Sequence, residues 1–181
     1  AAHDPLAIAA GLARTAEAAL QVAVTAAEEE FAAKHGRIAG SELVVLGLGR
    51  LGGGVLTHAS DLDIVYLFTG THDGESDGER PLGATLYFNR LAQRVTAALS
   101  VPTAQGALYE VDTRLRPQGN QGPLAVGVES FARYQREDAW TWEHMALTRA
   151  RVLVGSTGAR DEVDAVVRGI LCKRRDADRL R

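Results

Sequence analysis

The tightest constraint on this chain is a short connection. A continuous apolar run, Leu43-Val44-Val45-Leu46, leads into Gly47-Leu48-Gly49-Arg50-Leu51-Gly52-Gly53-Gly54, and a second apolar segment runs from Leu62 to Phe68. The first run is short, β-branched and closed by glycine, which predicts a buried strand. Gly47, Gly49 and Gly52 satisfy G-x-G-x-x-G, the spacing of a dinucleotide-binding turn. A parallel βαβ unit, however, needs a crossover of about a dozen residues or more before its next strand. Only the seven residues 54–60 lie between Gly53 and Asp61, so the dinucleotide reading is set aside. Two uses of the glycines remain. Gly52 and Gly53 can let backbone N–H groups approach phosphate oxygens with no Cβ in the way, with a short helix after them aimed at the same anion. Alternatively they form a tight turn that holds nothing.

The remaining elements follow from periodicity. Residues 4–34 predict one long helix, with Asp4 as N-cap and Pro5 at its first position. Leu6, Ala10, Ala13, Ala16, Leu20, Val24, Ala27 and Phe31 form its apolar stripe, and His35-Gly36 stops it. Residues 69–80, acidic and glycine-rich, predict a mobile surface loop. Residues 83–99 predict a helix with Ala84, Tyr87, Leu91, Val95 and Leu99 on one face. Residues 107–116 read as a third strand, 117–123 as a loop, and 129–154 as one or two helices. The tail from Lys173 onward is polar.

Composition narrows the classes of function. With 181 residues, 46% of them hydrophobic, the chain can bury a core. Its net charge of −3 argues against nucleic-acid and anionic-membrane partners. Cys172 is the single cysteine, so no intrachain disulfide forms, and the five histidines show no metal-ligand spacing with it. No run reaches the ~20 apolar residues of a membrane span and no basic-then-apolar leader is present, which together give a cytoplasmic expectation. The opening Ala-Ala-His, without Met, reads as a piece of a longer chain.

Acidic residues supply the chemistry. Asp61 and Asp63 open the second strand and point the same way, because strand side chains alternate. Like charges so placed repel, and a divalent cation relieves them, since hard oxygen ligands suit Mg²⁺. In the third strand Tyr109, Val111, Thr113 and Leu115 form the core-facing set, and Glu110, Asp112, Arg114 and Arg116 the polar one. Asp112 can then join the first two aspartates if the strands are neighbours, with Arg114 and Arg116 offering donors to phosphate. Three carboxylates can hold two Mg²⁺ ions around a triphosphate and an attacking hydroxyl. A solvent-exposed salt-bridge ladder is the plainer alternative for this face. Trp140 and Trp142 read as core or interface packing, and Glu143, Arg149 or Arg151 as props behind the site.

Gly49-Arg50-Leu51-Gly52-Gly53, Ser60-Asp61-Leu62-Asp63, the run from Tyr109 to Pro117 and the run from Ala139 to Arg151 resemble the glutamine synthetase adenylyltransferase family. The resemblance covers about residues 40–155. It implies an α+β, polymerase-β-like nucleotidyltransferase fold: a small mixed sheet flanked by helices, behind a long N-terminal helix. The implied organisation is an N-terminal helical segment (1–39), a nucleotidyltransferase core (40–160) and a tail (161–181) leading to a further helical domain. Metal binding by Asp61, Asp63 and Asp112 is implied, with Gly52, Gly53, Ser60 and Arg50 at the nucleotide, Arg114 and Arg116 near phosphate or target, and Glu143 and Arg149 behind them. ATP is the implied substrate, two Mg²⁺ the cofactor, glutamine synthetase the target and PII signalling protein a partner of the full-length enzyme. The runs Tyr109-Glu110-Val111-Asp112 and Trp140 to His144 look like the adenylylating half of this bifunctional family. The deadenylylating half and a non-catalytic docking module are the alternatives. Two departures stand out: Arg50 replaces the family's usual Lys, and Val55 lies where a Glu is common.

Overall fold

The computed structural model describes residues 4–173. The chain is α+β. In order it forms α1 (Pro5–His35), β1 (Leu43–Gly47), a one-turn α2 (Gly49–Gly52), β2 (Leu62–Phe68), α3 (Ala84–Ser100), β3 (Val111–Asp112), β4 (Ala125–Gly127), α4 (Val128–Glu137), α5 (Thr141–Ala146), β5 (Arg151–Val154) and α6 (Thr157–Leu171). Short 3₁₀ turns span Gly119–Gln121 and Leu147–Arg149.

The mixed sheet has the order β3-β2-β1-β5, with β4 also pairing β2. β1 and β2 are antiparallel, from Leu43 opposite Phe68 to Gly47 opposite Ile64. This explains the short connection, because an antiparallel neighbour needs no crossover helix. β1 pairs β5 antiparallel, and β2 pairs β3 and β4 in parallel. Along β2 the side chains alternate between two cores. Leu62, Ile64, Tyr66 and Phe68 face α1 and α3, while Val65 and Leu67 face α4 and α6. Covered on both sides, β1 and β2 read as unbroken apolar runs.

α1 is capped as its sequence implies: Asp4 accepts from the Leu6 amide, Pro5 leads, and Gly36 closes the helix at φ +71°. Ala13, Ala16, Leu20, Val24, Ala27 and Phe31 are buried, whereas Leu6 is 70% exposed. By length and composition alone α1 is apolar enough to cross a bilayer, which corrects the reading that no such stretch exists. Here its stripe packs against α3 and the sheet.

Several further expectations are corrected. The third strand is two residues long rather than ten, because the Asp112 carboxylate takes the Arg114 amide at 2.9 Å and turns the chain out of the ladder. The 129–154 stretch is two helices, a 3₁₀ turn and then β5, whose Arg151-Val152-Leu153-Val154 is a strand. The 69–80 segment is anchored: Ser76 is 3% exposed and takes the Leu82 amide, and the Gly78 amide donates to His35 O. α6 runs through residues 160 and 161, and its Val163, Val167 and Ile170 are core residues. Residues 1–39 likewise share their core with the strands. After Lys173, the polar tail lies outside the described residues.

Leu20 has no exposed surface, so Leu20→Ala is expected to cost about 2–5 kcal/mol in urea denaturation. Leu6→Ala, on the same predicted stripe but exposed, is expected to change stability by less than about 0.5 kcal/mol.

Candidate functional site

The sheet brings the aspartates together at one end. Asp63 pairs in register with Asp112 across the parallel β2–β3 ladder, and Leu62 pairs with Val111. The Leu62 amide donates to Glu110 O at 2.8 Å. In-register residues of parallel strands project to the same face, so the two carboxylates stand side by side. Asp61, two residues earlier, is exposed just outside the strand.

Charge at this edge is costly. Burial first, then the neighbouring charges of Asp112 and Asp61, push the Asp63 carboxyl above its ordinary range, with Arg114 and Arg50 opposing. Asp112 moves the other way. Arg114 grips it: Nε donates at 3.0 Å and 2.9 Å to its two oxygens, and Nη2 adds a second prong. These bonds hold Asp112 below the usual carboxylate range, which makes it a weak proton acceptor while the grip lasts. The Arg114 charge is felt by Asp112, Asp61 and Asp63 alike. Among the described residues, no three acidic, histidine or cysteine side chains are drawn tightly enough to enclose a metal ion. A guanidinium stands where a cation is called for, and the donors around it are carboxylate oxygens, the type that hard dications take.

Beside the aspartates lies the glycine turn. The glycines form α2 itself instead of preceding a helix, and the Gly52 and Gly53 amides already donate to Leu48 O and Gly49 O. The expectation that these two amides are open to phosphate is corrected accordingly. Their smallness has another use: a Cβ on Gly52 would stand 2.1 Å from Arg149 O and 2.6 Å from Gly47 O. Gly49 sits at φ +52°, and a Cβ there would meet Asp63 Oδ2 at 2.3 Å. Gly49 therefore leaves the space that the Asp63 carboxylate fills. Ser60 closes the following loop by accepting the Thr57 amide at 3.1 Å, and Arg50 Nη1 reaches its hydroxyl at 3.4 Å.

The other expected residues divide. Arg116 feels the Asp112 charge but its guanidinium turns inward. It is 9% exposed, donating from Nη1 to Thr113 O and Oγ1 at 2.8 and 2.9 Å, and burial pushes its pKa down. Arg149 packs beside the turn, its carbonyl against Gly52. Glu143 is spent on the start of α5 and on α4: Oε1 accepts the Trp140 amide and Oε2 the Tyr134 hydroxyl, both at 3.0 Å. Trp140 and Trp142 are 71% and 58% exposed, which corrects the core part of their core-or-interface reading. His144 donates from Nε2 to Gln135 O.

Sequence reading understated one clamp. Arg151 donates from Nε to Gly52 O at 3.1 Å and from Nη2 to Leu51 O at 3.3 Å, while Nη1 reaches Glu17 of α1 at 3.1 Å. Glu17 lies on α1, outside its apolar stripe. A lone acid on its polar side gives no signal before the fold is known.

The two aspartates should titrate stability in opposite senses. Asp63→Asn removes a charge that the fold disfavours, so it raises the melting temperature at neutral pH. That gain grows as pH rises through the raised folded-state pKa and vanishes below the ordinary Asp value of about 3.9. Arg114→Gln removes the group that favours charge on Asp112 and lowers the melting temperature at neutral pH. That loss fades as pH falls through the depressed folded-state pKa of Asp112. Thermal melts from neutral to acid pH check both signs.

Comparison with known proteins identifies the family. The profile of the family described as glutamate-ammonia ligase adenylyltransferase matches residues 5–166. Similar relatives are named bifunctional glutamine synthetase adenylyltransferase/adenylyl-removing enzyme. The one from Mesorhizobium japonicum is 52% identical over 92% of this chain and 17% of its own length. The one from Brucella suis is 48% identical over 87% and 16%, and that from Rhizobium meliloti 46% over 92% and 17%. The chain thus spans about one-sixth of the curated relatives it matches. The match extends from α1 into α6, across both cores and the aspartate edge, and the chain belongs to the glutamate-ammonia ligase adenylyltransferase family.

Proposed function

We propose that this chain is a nucleotidyltransferase domain of polymerase-β-like architecture that moves AMP from ATP to a tyrosine hydroxyl of glutamine synthetase, releasing pyrophosphate. The observation that carries the reading is the register of Asp63 against Asp112, with Asp61 beside them and a glycine turn adjoining. A structural strand end gains nothing from three neighbouring like charges. Asp61, Asp63 and Asp112 would hold Mg²⁺, which when bound supplies charge neutralisation for the triphosphate and acidifies the attacking hydroxyl.

The chain's own residues do the positioning. Gly49 makes room for the Asp63 carboxylate, and Arg151 with Glu17 fixes the turn that walls the site. Arg50 stands over the Ser60 loop as an exposed fork able to take phosphate oxygens bidentately. Arg114, once released from Asp112, offers a second fork on the same edge. The adenylylating direction rests on the likeness of the 109–112 and 140–144 runs to that half of the family. Glutamine synthetase is the proposed target and PII signalling protein a proposed regulator acting through the longer polypeptide, both in the cytoplasm.

The test is transfer of labelled AMP from ATP to glutamine synthetase by the 181-residue chain. Labelling is expected to require Mg²⁺ or Mn²⁺. It should fall by roughly 10²–10³-fold or more in Asp61→Asn/Asp63→Asn. Labelling by the double variant at the wild-type rate defeats the reading. Phosphate-dependent release of ADP from adenylylated glutamine synthetase, without forward labelling, assigns the opposite half. Nucleotide binding that survives loss of all three aspartates assigns a docking module.

Gly49→Val provides an independent check. Its side chain would collide with Asp63, so Mn²⁺ binding followed by electron paramagnetic resonance is expected to weaken at least about tenfold. Gly83→Ala, with nothing within 4 Å of the added Cβ, should leave it unchanged.

A further inference from the structure

Four cations gather at the other end of the molecule. Lys34 lies in the last turn of α1, Arg90 and Arg94 sit one turn apart on α3, and Arg80 reaches in from the 69–83 segment. With His35 and Gln93 they line an open groove of about 610 Å³, over a floor of Phe31, Leu82 and Ala97. Among the described residues no acidic side chain lines it, and the nearest paired one is Glu30 on Arg94. Among the described residues only Arg94 of the four is in an ion pair, to Glu30 at 2.9 Å. Ala9 and Glu17 of α1 meet the glycine-turn region, and Phe31 comes fourteen residues after Glu17. At 1.5 Å per residue that is about 21 Å along the helix, so the groove is not an extension of the aspartate edge.

Helix stability alone does not account for this grouping. Lys34 complements the C-terminal dipole of α1. Arg90 and Arg94 are like charges at i, i+4 and repel. Arg80 is held in place: its amide donates to Lys34 O at 3.1 Å, and its carbonyl accepts from His35 Nδ1 at 2.7 Å. The acidic, glycine-rich segment is thus tied down at the point that carries a cation to the groove. Arg94 lies over the Phe31 ring at 5.2 Å. A chain with net charge −3 concentrates positive charge here around an apolar floor.

We propose that this groove docks an acidic protein segment, a stretch presenting two or more carboxylates with an apolar residue between them. Two features favour carboxylates on an extended segment over a compact phosphate. The cations come from three separate elements around an apolar floor, and the anion that Arg94 already holds is the Glu30 carboxylate. This assignment stands apart from nucleotidyl transfer and does not depend on it.

The probe is a short fluorescein-labelled peptide of Glu and Leu, titrated into the 181-residue chain and followed by anisotropy, beside a Lys and Leu peptide of equal length. The acidic peptide is expected to bind and the basic one not, with affinity falling as salt rises. Arg90→Glu/Arg94→Glu should weaken binding about tenfold or more, and Asp63→Asn should leave it unchanged. Arg90→Gln/Arg94→Gln, checked for an unaltered melt, gives the same answer should the charge reversal fail to fold. Absence of acidic-peptide binding, or equal binding by wild type and the Arg90/Arg94 variants, overturns the proposal. Binding of inorganic triphosphate through Arg90 and Arg94 in place of the peptide overturns the acidic-segment assignment.

Discussion

Two carboxylates held in register on neighbouring parallel strands repel, and the end of this sheet is organised around that repulsion. The hydrophobic alternation of β2 leaves no freedom. Leu62 and Ile64 must enter the α1/α3 core, so Asp63 must point to the opposite face. Pairing of Leu62 with Val111 then brings Asp112 beside it. Arg114, delivered by the turn that the Asp112 carboxylate nucleates, answers part of the charge. Core packing therefore enforces an electrostatic conflict at the strand end, which the Arg114 guanidinium answers only in part.

Elements with a strong period were legible. The stripe of α1, the two buried strands and the face of α3 follow from spacings of three to four residues or from unbroken apolar runs, and the structure keeps them within a residue or two. Strand parity predicts a common orientation for Asp61 and Asp63, but β2 begins at Leu62, so parity governs only Asp63. The meeting of Asp63 with Asp112 required neighbouring strands, which spacing alone does not specify. β5 and β4 were hidden for a related reason. Arg151-Val152-Leu153-Val154 is a four-residue run directly after helical turns, and Ala125-Val126-Gly127 is shorter still. Such strands exist because a partner edge receives them, not because their residues insist.

Residues 107–116 failed differently. Their alternation is clean, yet an aspartate side chain competes with the ladder for the backbone and wins after one step, which swings Arg116 into the interior. The two tryptophans show the limit of composition as a guide. Large aromatic side chains predict burial, but in this chain Trp140 and Trp142 stand on the solvent side of α5, whose buried contribution is the carboxylate of Glu143. That carboxylate satisfies the helix start and the Tyr134 hydroxyl, a role indistinguishable in sequence from a prop behind the aspartates.

α1 joins what the chain does at its two ends. Its apolar stripe makes it inseparable from the sheet, since Leu20 and Phe31 share one core with Ile64 and Phe68. Near its start, Ala9 O takes the Leu56 amide and Glu17 holds the arginine that grips the glycine turn. Near its close, Phe31 and Lys34 line the basic groove. A core cut to begin at β1 would lose the far anchor of Arg151 and the α1 side of that groove, besides exposing the apolar face of β2 and α3 to water. Helix, strands and site therefore form one cooperative unit. Any displacement of α1 acts on the glycine-turn region through Arg151 and the Leu56 amide, and on the groove through the residues of its last turns.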